Sequence, residues 1–373
     1  MNIVKATKKF EDWLRLQIPI VEPDLRFKHE QMAAALFPFF RATFYRWLQI
    51  WQEQCAELDR VPHILSVGDL HVENFGTWRD CDGRLIWGVN DFDEAAIYPY
   101  TMDLVRLATS ALLASQEERL AIKPKDAAAA ILAGYERGME EGGLPFVLGE
   151  RHVWLRSIAE SKLRDPVLFW GKIDRLPTVK GPIPESAREA VEHLLPEPGI
   201  PYRLARRRAG LGSLGRLRVV AIADWKGGRV AREAKALTAS ALQSLTSKRA
   251  PAEILYAAIL RRSVRCQDPY VQMRGHWIVR RLSPYCSRIE LEALGTSRGE
   301  IRLLEAMGRE TANIHLGTEE KRRAILKDLR GRKDKDKDKD KDKGKGNWLL
   351  GTAAFMAEEM EKDWKVWKER WQS

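Results

Sequence analysis

Cysteine is scarce in this chain: four residues, at 55, 81, 266 and 286, none in a CxxC pair. That excludes a disulfide framework and a cysteine-rich zinc knuckle, and it suits a reducing compartment. Long apolar runs are missing too. No stretch approaches the roughly 18 uninterrupted apolar residues of a spanning helix, and residues 1–5 carry no apolar signal core. The expectation is a soluble, cytoplasmic protein with no membrane span. Glycine and proline show no period: 26 Gly and 17 Pro are dispersed through a chain that is 45% hydrophobic and 31% charged, which excludes a fibre or a wholly disordered chain.

What is present is a chain of 373 residues with enough apolar sequence for a large core and two or three lobes. Its formal charge of +11 is clustered, at Arg206 to Arg208, Arg261, Arg262, Arg265, Arg280, Arg281 and residues 321–323. Such clusters suit a solvated charged face, ATP or an acidic substrate. Nucleic acid is disfavoured as a partner, because no reading helix, zinc site or aromatic stacking strand accompanies them. The thirteen tryptophans sit largely in amphipathic runs, where packing explains them.

Apolar spacing predicts helices over residues 10–16 and 31–57, the second kinked or divided by Pro38. Two short strands are expected at 64–67 and 85–89, the first running into Gly68-Asp69 and the second into Asn90-Asp91, with room between the two acids for a hairpin and a loop. Helices are expected at 101–113 and 127–140, and one short helix within the proline-rich stretch 182–198. Residues 210–215, Gly-Leu-Gly-Ser-Leu-Gly, precede strand-like runs at 217–223, 229–234 and 277–282. A dinucleotide fold would place a strand before the glycines and a helix after them, so these glycines read instead as a loop in a small antiparallel sheet. Helix resumes at 301–315. The Lys-Asp alternation of 333–343 has no apolar residue and reads as a solvated linker or loop. A terminal amphipathic helix at 348–371 offers Phe355, Met356, Trp364, Trp367 and Trp371 for docking, or alternatively for a membrane surface or partner.

The chemistry-bearing residues concentrate at Asp69, His71, Asn74, Asp91 and Asp93, between apolar strand segments. Mg²⁺ takes hard oxygen ligands, and an Asp carboxylate and an Asn carbonyl supply them while water and phosphates complete the shell. Asn74 and Asp91, with Asp93 beside them, fit a metal site; Asp69 is left as base or acceptor-positioning group. The glycines Gly210, Gly212 and Gly215, with Ser213, would let backbone N–H groups approach phosphates closely.

These segments, Val67-Gly-Asp-Leu-His-Val-Glu-Asn74 and Val89-Asn-Asp-Phe-Asp-Glu94, resemble the catalytic and metal loops of aminoglycoside- and choline-kinase-like phosphotransferases. A closer resemblance is to the uncharacterised bacterial family DUF2252, through Pro38-Phe-Phe-Arg41, Asn74-Phe-Gly76, Asp103 to Ser110 and the glycine segment. The resemblance implies an α+β, protein-kinase-like fold with a helical lobe and a small antiparallel-sheet lobe. It implies Asp69 as the catalytic Asp, Asn74 and Asp91 as Mg²⁺ ligands, and Asp103 as the buried Asp that accepts hydrogen bonds from the catalytic loop, with Arg106 as a possible partner one turn on. Ordinary kinases carry their glycine loop before the catalytic loop. Here it comes long after, and the residues before Asp69 read mostly as helix, so a circular permutation is expected. The expected domains are 1–199 for helices with the catalytic and metal loops, 200–299 for the sheet, and 300–373 for C-terminal helices.

Where the family carries Lys-Glu-Ala, this chain reads Arg232-Glu233-Ala234, with Lys235 next. In a strand Arg232 and Lys235 face opposite ways, and alignment favours Arg232 as the phosphate-binding cation, although Arg and Lys are not equivalent there. Arg280 and Arg281 suit the nucleotide cleft, an acidic substrate or a solvated edge. His315 reads as a packed or capping residue. The leading expectation is an ATP- and Mg²⁺-dependent phosphotransferase-like enzyme acting on an unknown small molecule or protein. A non-catalytic nucleotide-binding scaffold and an AMP-transferring enzyme are the alternatives.

Overall fold

The computed structural model describes residues 1–159, 165–246, 253–286, 297–340 and 347–372. It opens with helices α1 (Ile3–Gln17), α2 (Glu22–Ala34), α3 (Leu36–Ala42), α4 (Phe44–Gln54) and α5 (Ala56–Asp59). In α1, Ile3, Ala6, Phe10 and Leu14 recur at helical spacing and are buried, and Asn2 caps the first turn by accepting from Lys5 N. The expected division near Pro38 falls at Ala35 instead. Pro38 sits in the first turn of α3, where its missing N–H would have had no intrahelical acceptor.

Strand β1 (His63–Ser66) pairs antiparallel with β4 (Ala96–Pro99), while β2 (Phe75–Arg79) forms a hairpin with β3 (Leu85–Val89), joined at its far edge by β5 (Phe146–Val147). The hairpin between the two acidic loops is therefore β2 and β3, and the strands before each loop belong to separate sheets. Helix α6 (Tyr100–Gln116) is buried from Tyr100 to Ala114 on every face. Helix α7 (Pro124–Glu141) packs on α12 (Ser297–His315) so closely that a Cβ on Gly134 would lie 1.9 Å from Glu305 O.

After α8 (Val153–Ala159), α9 (Pro166–Asp174) and α10 (Glu185–His193) comes a five-stranded antiparallel sheet. Its order is β6 (Arg203–Arg206), β7 (Arg218–Trp225), β8 (Gly228–Ala236), β10 (Trp277–Leu282) and β9 (Gln272–Arg274), with α11 (Tyr256–Arg262) inserted. The glycine segment connects β6 to β7 and holds one 3-10 turn, Leu211–Ser213. One hydrophobic cluster runs from the helices into one face of this sheet, through Val219, Ala221, Ala234 and Ala236; Val220, Ile222 and Ala231 form a smaller cluster on the other face.

Helix α13 (Arg322–Asp340) and α14 (Trp348–Gln372) close the chain over the first helices, α14 lying against α6 and α2. Two expectations are corrected here. The Lys-Asp alternation is helical through Asp340 rather than a loop, as an extension of a helix anchored by buried Ile325 and Leu329. Residues 341–343 of it lie outside the described residues. Met356 and Trp367 are buried as docking residues, but Trp371 remains 41% exposed, stacked on Trp367. No helix among the described residues is long and apolar enough to cross a membrane.

Candidate active site

One face of α6 carries the loop that follows β1. Asp103, Arg106 and Ser110 recur at the spacing that aligns side chains on a helix, inside an otherwise apolar surround. Asp103, fully buried, accepts from Val67 N at 2.8 Å and Gly68 N at 2.9 Å, and from His315 Nε2 at 3.0 Å. His315 also meets the Tyr135 hydroxyl through Nδ1, at 2.9 Å, so it is a packed residue that orients Asp103. Ser110 Oγ accepts from Val72 N at 3.0 Å. Gly68 needs its positive φ of 83°, and a Cβ there would come within 2.5 Å of Glu94 O.

Arg106 has Asp69, not Asp103, as its partner. Its Nε and Nη2 donate to Asp69 Oδ1 at 3.1 and 2.7 Å, its Nη2 also donates to Phe40 O, and its guanidinium lies 3.5 Å from the centre of the Phe40 ring. Burial pushes the Asp69 pKa up, against the opposing charge of Arg106. Oδ1 is thus held, while Oδ2 faces the glycine segment: a Cβ on Gly212 would sit 3.6 Å from it. Asn74 Nδ2 donates to Asp69 O at 2.7 Å, which leaves its carbonyl oxygen available to accept or to ligate. Buried His71 accepts from Glu73 N, and Glu73 is clamped by Arg41 and Arg119.

The loop after β3 presents Asp91 and Asp93, and the cation that reaches them is Lys235. Its Nζ is 3.3 Å from Asp91 Oδ1 and also binds Asp93 Oδ1. Arg232, favoured by alignment, is not at the site: it lies on the opposite face of β8, donating to Leu194 O at 2.7 Å and stacking over Tyr270. The alternation of side chains along a strand decides this, since Glu233 and Lys235 share one face and Arg232 the other. Burial alone would raise the pKa of Asp91, but Lys235, with Arg280 and Arg218, holds it below the usual carboxylate range. Asp93 is raised, by burial and then by the charge of Asp91. Asp93 Oδ2 is also 3.5 Å from Arg216 Nη1, so Asp93 has two cations and Asp91, with its side chain 35% exposed, is the more open carboxylate.

Residues 210–213 fold over both acidic loops. Gly210, Gly212 and Ser213 line one cavity with Asp69, His71, Asn74, Asp91 and Asp93; Lys28, Arg41, Glu94 and Arg216 are also on its wall, with Phe10, Phe44 and Tyr45 on its apolar side. Gly215 does not line it; its carbonyl accepts from Val21 N and ties the segment to the start of α2. Arg280 is likewise set back, bound to Glu233 Oε1 at 2.8 Å. Glu233 is fully buried; burial would raise its pKa, but Arg207, Arg280 and Arg218 hold it well below the usual range. Arg218 donates in turn to Ser213 Oγ at 2.7 Å, so this cluster braces the glycine segment.

Several site residues carry no local sequence signal. Lys28 is one of two cations, with Arg26, on a mixed helix, and Arg216 one arginine in a basic stretch. Glu94, whose pKa burial pushes up to about 7 against Arg216, accepts from Ala241 N at 2.6 Å. The pairing of Arg106 with Asp69 could have been suspected, because a buried arginine on the same helix face as Asp103 needs a carboxylate. Among the described residues no three His, Cys, Asp or Glu side chains gather into a metal cage, and Mg²⁺ does not need one, since one or two carboxylates plus substrate phosphates hold it.

Residues 21–148, which contain both acidic loops and the face of α6 beneath them, match the model of a family described as an uncharacterized protein conserved in bacteria, DUF2252. No curated protein and no solved structure matches the chain.

Proposed function

We propose that this protein is an ATP- and Mg²⁺-dependent phosphotransferase of protein-kinase-like, circularly permuted architecture. The observation that carries the reading is the convergence of Asp69, Asn74 and Asp91 with residues 210–213 on one cavity, although the two groups are far apart in the chain. Phosphoryl transfer asks for positioning and charge neutralisation rather than covalent catalysis. Asp69 Oδ2 accepts the proton of an acceptor hydroxyl, and its raised pKa brings it closer to the operating pH of a general base. Arg106 fixes the carboxylate so that only one oxygen turns to the cavity. Asn74 and Asp91 would hold Mg²⁺, which neutralises phosphate oxygens when bound. Lys235, on the face of β8 that meets the acids, supplies the ammonium for the donor phosphates, so the arginine at 232 is no obstacle to turnover.

The cavity measures about 60 Å³. Pockets that enclose drug-sized ligands run to roughly 300–1,000 Å³, so nucleotide entry parts the glycine segment from Asp69. The test is a titration of ATP with and without Mg²⁺, followed by basal release of labelled γ-phosphate. The intact chain binds ATP with Mg²⁺, Asp91→Asn loses that dependence, and Asp69→Asn binds but does not turn over. Absence of ATP binding by the intact chain overturns the reading, and full turnover by Asp69→Asn removes Asp69 from its role.

A further inference from the structure

Around the cavity almost every charge has a partner. Asp69 has Arg106, Asp91 and Asp93 share Lys235, Glu94 has Arg216 at 3.4 Å, and Glu73 has Arg41 and Arg119. Glu11, the strongest negative influence on Lys28, is taken by His29 at 2.6 Å. Lys28 is the remainder. It is 4% exposed, lines the cavity from α2, and makes no ion pair with any described carboxylate; its Nζ donates to Gly212 O at 3.1 Å. Glu11, Glu94 and Asp69 act on it without a direct bond, and a buried ammonium whose one direct partner is a carbonyl is costly unless an anion completes its surroundings.

A second observation lies on the same wall. Arg216 is 5% exposed and lines the cavity, and its Nη1 makes no hydrogen bond, the oxygen of Asp93 being 3.5 Å away. Lys28 and Arg216 lie far apart in the chain and line the same cavity: Lys28 bonds Gly212 O, beside the free oxygen of Asp69, and the Arg216 guanidinium lies by Asp93 and Glu94.

We propose that Lys28 and Arg216 form an oxyanion subsite, which binds a phosphate group on their wall of the cavity, apart from the Asn74 and Asp91 metal position. In naming a phosphate as its ligand, the proposal rests on the phosphotransferase reading. The first helices thereby belong to the site: α2 supplies a binding cation, and the bond from Lys28 to Gly212 O couples the glycine segment to occupancy. An arriving phosphate competes with that carbonyl for the ammonium and releases the segment.

Inorganic phosphate is the probe, titrated calorimetrically into the full chain without Mg²⁺ or nucleotide. Saturable binding is expected, weakened about tenfold or more by Lys28→Met and by Arg216→Gln, as loss of one charge-assisted hydrogen bond requires. Lys28→Arg recovers part of it, and Arg232→Gln, on the far face of β8, leaves it unchanged. Phosphate-induced thermal stabilisation gives the same comparison for variants too weak to titrate. Displacement of phosphate by Mg·ATP but not by Mg·ADP assigns the subsite to the terminal donor phosphate; phosphate bound alongside Mg·ATP assigns it to an anionic acceptor. Equal phosphate affinity in the intact chain, Lys28→Met and Arg216→Gln overturns the subsite and leaves the ATP reading standing. Phosphate binding that depends on Lys28 in a chain that does not bind Mg·ATP does the reverse.

Discussion

Replacing Asp103 by Asn tests the support beneath the loop that carries Asp69 with almost no change of shape. The carboxylate accepts three hydrogen bonds, from Val67 N and His315 Nε2 on Oδ2 and from Gly68 N on Oδ1. An amide has one accepting oxygen on that end. With its NH₂ toward Gly68 it faces one backbone N–H; with its NH₂ toward Val67 it faces another, so either orientation leaves at least one buried donor without an acceptor. That costs about 1–3 kcal/mol, and the surviving bonds lose the reinforcement of a charged acceptor, about 1 kcal/mol more. The expected destabilisation is about 2–4 kcal/mol. Urea unfolding followed by tryptophan fluorescence should show a lower midpoint at unchanged slope. Turnover should fall as well, because Gly68 sets the backbone from which Asp69 projects. A stability within about 0.5 kcal/mol of the parent, the range of an ordinary surface substitution, would refute the reasoning.

The assignment of cations to faces predicts that Lys235→Met weakens Mg·ATP binding at least about tenfold, while Arg232→Met leaves it unchanged; equal losses in a calorimetric comparison would sink the assignment. The raised pKa of Glu94, about 7 in the folded chain against 4.5 ordinarily, means that its stabilisation is full below the ordinary value and is lost as pH rises through about 7. Relative to Glu94→Gln the parent should lose about 3 kcal/mol over that window, and denaturation midpoints across a pH series that moved the other way would exclude the burial argument. Gly134→Ala drives a Cβ to within 1.9 Å of Glu305 O, so α7 and α12 must separate. A loss of about 1–3 kcal/mol is expected, with Gly149→Ala, which meets nothing within 4 Å, as the silent control in the same melting assay.

Helices with long apolar periods were legible in the sequence, as α6, α7, α12 and α14 show. So was the clustering of Asp69, Asn74 and Asp91, because Asp69 and Asp91 each stand just after a short apolar strand and Asn74 closes the loop that Asp69 opens. The short strands β2 and β4 were not legible. Phe75-Gly-Thr-Trp-Arg79 continues straight from the loop with no turn residue to separate it, and β4 ends at a proline that opens α6. Lys28 and Arg216 were hidden for a different reason: a basic residue among others owes its role to what lies across the cavity, and no local pattern records that. The alternation of Lys and Asp misled because composition speaks to core formation, whereas a helix already started by Ile325 and Leu329 continues without a core of its own.

The choice between Arg232 and Lys235 shows how one residue of register carries chemistry. Alignment by motif selects a position along the strand; function requires a position on a face, and the two differ by the period of two that alternates side chains. Glu233 pins the register here, since it is buried among Arg207, Arg218 and Arg280 and could not turn outward without leaving those cations uncompensated. With Glu233 directed to the acidic loops, Lys235 follows it and Arg232 cannot. Lys235 then occupies the space between Asp91 and Asp93 that a divalent ion would share. Asp93, held by Lys235 and Arg216 together, stays with its cations, and in the proposed function Asp91 would be the carboxylate that exchanges an ammonium for a metal.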